Sequence, residues 1–228
     1  MNGLNRFPKA LNGSRLIRLG ESAFADKVQG DKLADYSVPI EYTNRRGEKY
    51  YIHVGETKTG KPKYYVALHA HGSLADVIPD GFEIYEGPNG QVSLRKVLPK
   101  VILDDELAVI ERELGRIDRL KHCKLDRKLE VLTVYLADEP KELFDELVGF
   151  RPWRSHAINE AQGERFRTYE AQLQLVLVDQ KKRVFQTRRY CYLGRIDDWI
   201  DIGDRGPLAQ LAKLYIKHLG QESYYELF

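Results

Sequence analysis

Three histidines, His53, His69 and His71, are the residues of this chain whose type and spacing could do chemistry. His69-Ala70-His71 places two imidazoles on one side of an extended chain, because side chains alternate with period two along a strand. His53 lies in the preceding alternating segment and is predicted to face them. Three imidazoles can hold zinc or another divalent metal and leave a position open for water. That would make a metal-dependent hydrolase or nuclease, with Glu41 or Glu56 as base, although Glu56 has the parity of the opposite face. No carboxylate motif accompanies the histidines, and two histidines one residue apart are common by chance.

The same segments suggest a different chemistry. Tyr51 and Tyr65 share the histidine face with Glu41, Thr43, Lys49 and Lys63, while the turns carry Arg45, Arg46, Lys58 and Lys61. Aromatic rings stack on bases and cationic side chains meet phosphates, so this face reads as a platform for DNA or RNA. The plainer reading is a polar outer sheet face with solubilising turns.

A second basic and aromatic patch follows later: Lys181, Lys182, Arg183, Phe185, Arg188, Arg189, Tyr190 and Tyr192. If Val178 pairs with Val184, then Gln172, Gln174, Gln186, Arg188 and Tyr190 share a face able to hydrogen-bond and stack on bases or grip a phosphorylated ligand. Against this stands a polar face whose long arginine stems cover apolar neighbours. The run Asp197-Asp198-Trp199-Ile200-Asp201-Ile202-Gly203-Asp204 lacks the spacing of a calcium loop. It reads as turn and surface residues, with Asp204 capping a following helix. Arg151-Pro152-Trp153-Arg154-Ser155-His156 reads as a loop whose tryptophan either stacks on a partner or anchors to the core. No P-loop, GxGxxG, HExxH or GxSxG pattern occurs. Gly55-Glu56-Thr57-Lys58-Thr59-Gly60-Lys61-Pro62 fails as a phosphate loop, because Pro62 stands where Ser or Thr is needed and a hairpin is predicted.

These residues need elements to hold them. Val38, Ile40 and Tyr42 alternate with polar neighbours, as do Tyr50, Ile52 and Val54, then Tyr64, Val66, Leu68 and Ala70. Asn44-Arg45-Arg46-Gly47 and Thr59-Gly60-Lys61-Pro62 supply turns between them. Pairing Tyr42 with Tyr50 and Val54 with Val66 sets the apolar residues on one face and puts Tyr51 opposite His69. Segments 82–86 and 91–97 flank Gly87-Pro88-Asn89-Gly90, a hairpin signal through the Asn-Gly pair. The helix expected over Asp104–His122 carries Leu107, Ile110, Leu114 and Ile117 on one stripe and is predicted to cover this sheet. A strand over 130–136, a short helix opened by Pro140 with Leu143, Phe144 and Leu147, and a long hairpin over 168–179 and 183–193 follow. A last helix opens at Gly206-Pro207, with Leu208, Leu211, Ala212, Tyr215 and Leu219 on one side. The fold class is α+β, with a β-rich region over residues 1–100 and an α+β region over 101–228, as two domains or one.

The 228 residues are 43% hydrophobic and 31% charged, which excludes a disordered chain. Two cysteines and 18 glycines exclude disulfide-framework and collagen-like chains. A net charge of +2 hides a partition: about +5, −6 and +3 over residues 1–70, 71–150 and 151–228. No apolar run approaches the roughly 20 residues of a spanning helix, and the first residues lack the apolar core of a signal peptide. The expectation is a cytoplasmic protein with two reduced thiols and no membrane partner. Its expected role is binding, of nucleic acid above all, with the metal-dependent hydrolase as the enzymatic alternative. A protein–protein adaptor, using the acidic middle and the tail Tyr224-Tyr225-Glu226-Leu227-Phe228, or self-associating, is the third reading.

Overall fold

Three successive hairpins in the first hundred residues close in the same way, and this repeated turn sets the strand register. In the computed structural model, which describes residues 39–138, 163–165 and 167–227, β1 (Glu41–Thr43), β2 (Lys49–Glu56) and β3 (Pro62–Ala67) form an antiparallel sheet in the order β1-β2-β3. Between β2 and β3, Gly60 N–H donates to Thr57 O at 2.9 Å and Thr57 N–H to Lys61 O at 2.8 Å. Gly60 takes a φ of +75°, the left-handed conformation that closes a three-residue hairpin loop. Asn44–Glu48 and Gly87–Gln91 are bonded identically.

This turn centres the second hairpin one residue earlier than the sequence suggests. Tyr42 pairs with Tyr50, but Val54 pairs with Tyr64 and Ile52 with Val66. The shift is two residues along β3, so each side chain keeps its face. Its partners change: Tyr51 stands opposite Ala67 rather than His69, and His53 stands opposite Tyr65. Likewise Gly90, not Asn89, holds the left-handed position of the third turn, with φ +78°. That turn joins β4 (Phe82–Glu86) to β5 (Val92–Lys96), a two-stranded sheet.

The chain divides into two compact units. Of the described residues, the first holds those up to Tyr85 with Val92–Lys96, and the second holds Glu86–Gln91 with those from Val97 onward. In the second unit β6 (Lys124–Lys128), β7 (Val131–Asp138), β8 (Thr168–Asp179), β9 (Val184–Leu193) and β10 (Ile196–Pro207) make an antiparallel meander in the order β10-β9-β8-β7-β6. Leu132, Val134, Leu173, Leu175, Leu177, Phe185 and Ile202 are buried in its core. Alternation along each strand directs this set to one face.

The helix α1 (Asp104–Gly115) packs into this core through Ile110 and Leu114, not against the first sheet as the sequence reading proposed. An apolar stripe is not specific for a partner, and the five-stranded sheet offers the larger apolar face. The helix also ends earlier than His122: Gly115 is its last residue, and a short 3-10 turn over Asp118–Leu120 follows. At its start, Leu103 N–H donates to Glu106 Oε2 at 2.9 Å. Arg183, in the β8–β9 turn, donates through Nε to Glu106 Oε1 at 2.8 Å and also bonds Glu106 Oε2. The turn is thereby tied to the helix. The second helix, α2 (Leu208–Tyr215), buries Leu208, Leu211, Ala212 and Tyr215. Its N-cap is Pro207, with no side-chain cap, so Asp204 does not serve there.

Two strands escape the sequence reading. β6, with the sequence KLDRK, is charged and stands at a sheet edge, where charge opposes unwanted pairing. β10 is the acidic run, with Ile202 buried and its register broken between Ile202 and Gly206. The segment with Pro140, Leu143, Phe144 and Leu147 and the Arg151–His156 loop lie outside the described residues. Among the described residues no helix is long and apolar enough to cross a membrane.

Both cysteines lie in the second unit, Cys191 buried and Cys123 half-buried. Burial pushes the Cys123 thiol up to about 12. Because the thiolate is the nucleophile, Cys123 is expected to resist iodoacetamide in native protein at about pH 8, and Cys191 is expected to resist it through burial. Protein unfolded in guanidinium should take two labels, read by intact mass. Rapid native labelling would contradict this packing.

Candidate nucleic-acid interface

The face of β2 and β3 that carries Tyr51, His53, Lys63 and Tyr65 is not uniformly outward. Residues 73–75 lie along β2 beyond the end of β1: Val54 N–H donates to Ser73 O at 3.0 Å and Ala75 N–H to Ile52 O at 2.8 Å. His53 forms a bridge with Leu74 and is 1% exposed, one of the most buried side chains in the molecule. The expectation of an outward His53 is corrected accordingly. Period-two parity selects a face but does not say which loop folds over it.

His53 Nε2 lies 2.9 Å from His69 O. A carbonyl can only accept, so Nε2 is the donor in this contact, and Nδ1 is buried with no hydrogen-bond partner. The rings form a continuous run. Tyr65 stacks on His53 with centroids 5.0 Å apart and planes 11° apart; His69 meets His53 edge-on at 4.9 Å; His71 stacks on His69 at 6.1 Å. These are aromatic contacts. Among the described residues no group of three His, Cys, Asp or Glu side chains is arranged to hold a metal ion.

Tyr65 is 44% exposed, and His69 and His71 are exposed with it. The next pair on this face is Gly55 with Lys63. A β-carbon on Gly55 would stand 3.7 Å from Tyr65 Cε1, so its absence leaves room beside the ring. Lys58, Lys61 and Lys63 are exposed and have no ion-pair partner among the described residues.

The other end of this face is less basic than its residue types suggest. Lys49 Nζ pairs with Glu41 Oε1 at 2.7 Å, and Tyr51 Oη donates to Glu41 Oε2 at 3.4 Å. The hydrogen bond to Glu41, with its negative charge, raises the Lys49 ammonium above its ordinary range. Arg45 and Arg46 are half-buried in the first turn, where Asn44 Oδ1 accepts from Arg46 N–H at 3.0 Å and Glu48 N–H at 2.8 Å.

The second patch is divided by its own sheet. Asp179, not Val178, pairs with Val184, through a bulge after Leu177. Arg188 and Tyr190 do share a face with Gln174, but β10 brings aspartates beside them. Arg188 Nε bonds Asp201 Oδ1 at 2.7 Å, and Tyr190 Oη donates to Asp197 Oδ1 at 2.5 Å. That hydrogen bond raises the Tyr190 phenol above its usual range. Arg189 points to the opposite face and is 4% exposed; its Nε donates to Leu227 O at 2.8 Å and a terminal nitrogen to Tyr225 O at 3.3 Å. It holds the C-terminal tail, whose Tyr224 is buried. A signal for the neutralising strand was present: Ile200 and Ile202 are two apart, after a Gly194-Arg195 turn. No comparable signal marked residues 73–75, which extend the sheet beside His53 through backbone bonds.

The chain matches no protein-family model, no curated protein and no solved structure.

Proposed function

We propose that the first unit binds single-stranded nucleic acid on the β2–β3 hairpin, with Tyr65 as the stacking residue. The observation behind this reading is the Tyr65 ring, half-exposed yet stacked on the buried His53, with Gly55 and Lys63 the next pair on the same face. A ring already held in place loses little freedom when a base stacks on it, and base–aromatic stacking contributes about 1–3 kcal/mol per base. His69 and His71 extend the aromatic surface. Lys58, Lys61 and Lys63 supply cations for phosphates. Arg188, Arg189 and Tyr190 are left out, since aspartates or the tail engage them. Lys49, Tyr51, Arg45 and Arg46 flank the surface.

Fluorescence anisotropy with labelled oligo-uridine and oligo-thymidine tests this. Three phosphate contacts on a single strand predict a slope of log affinity against log salt of about −2. Tyr65→Ala should weaken binding about tenfold to a hundredfold, Tyr65→Phe should retain it, and Lys63→Gln should flatten the salt slope. No binding at low salt, or full binding by Tyr65→Ala, would refute the reading.

A further inference from the structure

Beside β2 and β3, the first unit has a cleft of about 350 Å³ lined by Val54, Tyr64 and the segment Leu74–Asp80. This is at the small end of ligand cavities, which run about 300–1,000 Å³. Its walls are pinned by backbone bonds: Val54 N–H to Ser73 O, Ala75 N–H to Ile52 O, Ile40 N–H to Ala75 O and Phe82 N–H to Pro79 O. The cleft is therefore formed without a ligand. Its lining joins apolar side chains and carboxylates. Val54 and Val77 are exposed, Val77 at 67%, beside the half-buried Tyr64, Leu74 and Ile78. Asp76 and Asp80 line the same cleft, and neither has a hydrogen-bond or ion-pair partner among the described residues.

The two features together select a ligand. An anion would be repelled by both carboxylates. A neutral apolar molecule would cover the valines but remove water from carboxylates that gain no partner, which is costly. A cation with an apolar body satisfies both, through charge-assisted bonds to the carboxylates and apolar contact with Val54, Val77 and Tyr64. We propose that this cleft binds a small organic cation, a primary ammonium on an aryl or branched alkyl body. The cleft shares Leu74 and Ala75 with the edge of the hairpin surface, but it calls for a ligand of opposite charge.

Calorimetric titration of the whole chain with phenethylamine tests the proposal, with 2-phenylethanol and phenylacetate as uncharged and anionic controls. Saturable binding with a dissociation constant of about 1 mM or tighter is expected. Both controls should bind at least about tenfold more weakly. The exposed pair Asp76→Asn/Asp80→Asn should abolish the preference for the amine. Val77→Gln should weaken amine binding, and Tyr65→Ala should leave it unchanged. Equal binding of amine and alcohol, an unchanged preference in the double variant, or no saturation would overturn the proposal. Each of these can occur whether or not oligonucleotides bind, so the two proposals fail separately.

Discussion

Phe185→Ala is expected to destabilise the second unit by about 3–5 kcal/mol, the range for truncating a buried aromatic residue. Phe185 is wholly buried in β9, paired with Leu177 of β8 and Gly206 of β10, in the core shared with α1 and α2. Alanine there loses the transfer free energy of a benzyl group and leaves a cavity that three hydrogen-bonded strands cannot easily collapse. A single domain is stable by only about 5–15 kcal/mol, so the loss is a large fraction of the whole. Guanidinium unfolding followed by fluorescence should show a lower midpoint with little change in slope, because the surface exposed on unfolding is nearly the same. Phe185→Leu, closer in volume, should cost less than half as much. A fall below about 1 kcal/mol for the alanine variant would mean this core is not organised around the ring.

Gly203→Ala should be nearly as harmful, although it adds only one methyl group. Gly203 has φ +58°, in the register break of β10. A non-glycine residue in this conformation costs about 1–2 kcal/mol. The new β-carbon would also stand 1.8 Å from Tyr215 Oη and 3.1 Å from Tyr215 Cζ. Tyr215 is buried on α2, and its ring cannot swing away without disturbing Leu211 and Ala212 beside it in the core. Overpacking of this kind typically costs a further 1–3 kcal/mol or so.

The two contributions separate experimentally. Combining Gly203→Ala with Tyr215→Phe removes the nearer clash and should recover part of the loss, a coupling that a double-mutant cycle measures. Gly203→Asn tolerates the backbone conformation but keeps the clash, so it should remain destabilised. A neutral Gly203→Ala would show that β10 does not approach α2 as described.

Much of the architecture was legible because its cause is local. Alternation of Tyr42, Tyr50, Ile52, Val54, Tyr64 and Val66 assigns them one side of the sheet, whatever the register. The glycines of the first three turns mark where the chain reverses. Leu208, Leu211, Ala212 and Tyr215 define the buried side of α2 by helical spacing alone. Even the two-residue error between β2 and β3 left each side chain on its proper face, since parity survives an even shift.

The candidate surface was legible only in part, because its character depends on neighbours distant in the chain. Residue types placed Tyr65, Lys61 and Lys63 on an outward hairpin, and local order suffices for that. That residues 73–75 would lie along β2 beside His53 depended on backbone bonds, to which side-chain types are nearly blind. Arg188 and Arg189 are adjacent in sequence, yet β10 supplies an aspartate to one and the C-terminal tail supplies carbonyls to the other.

The charge partition has the same limit. A count along the chain finds two basic regions, but a lysine or arginine contributes to a binding surface only if no carboxylate is folded beside it. Lys49 has Glu41 and Arg188 has Asp201, whereas Lys58, Lys61 and Lys63 have no such partner among the described residues. The sequence by itself determined strand parity, turn positions and helix faces, since these follow from periods of two and 3.6 residues and from glycine. Tertiary structure decided which sheet α1 covers, which ring is buried and which cations remain unpaired. Those are energies of contact between segments far apart in sequence, and no local pattern encodes them.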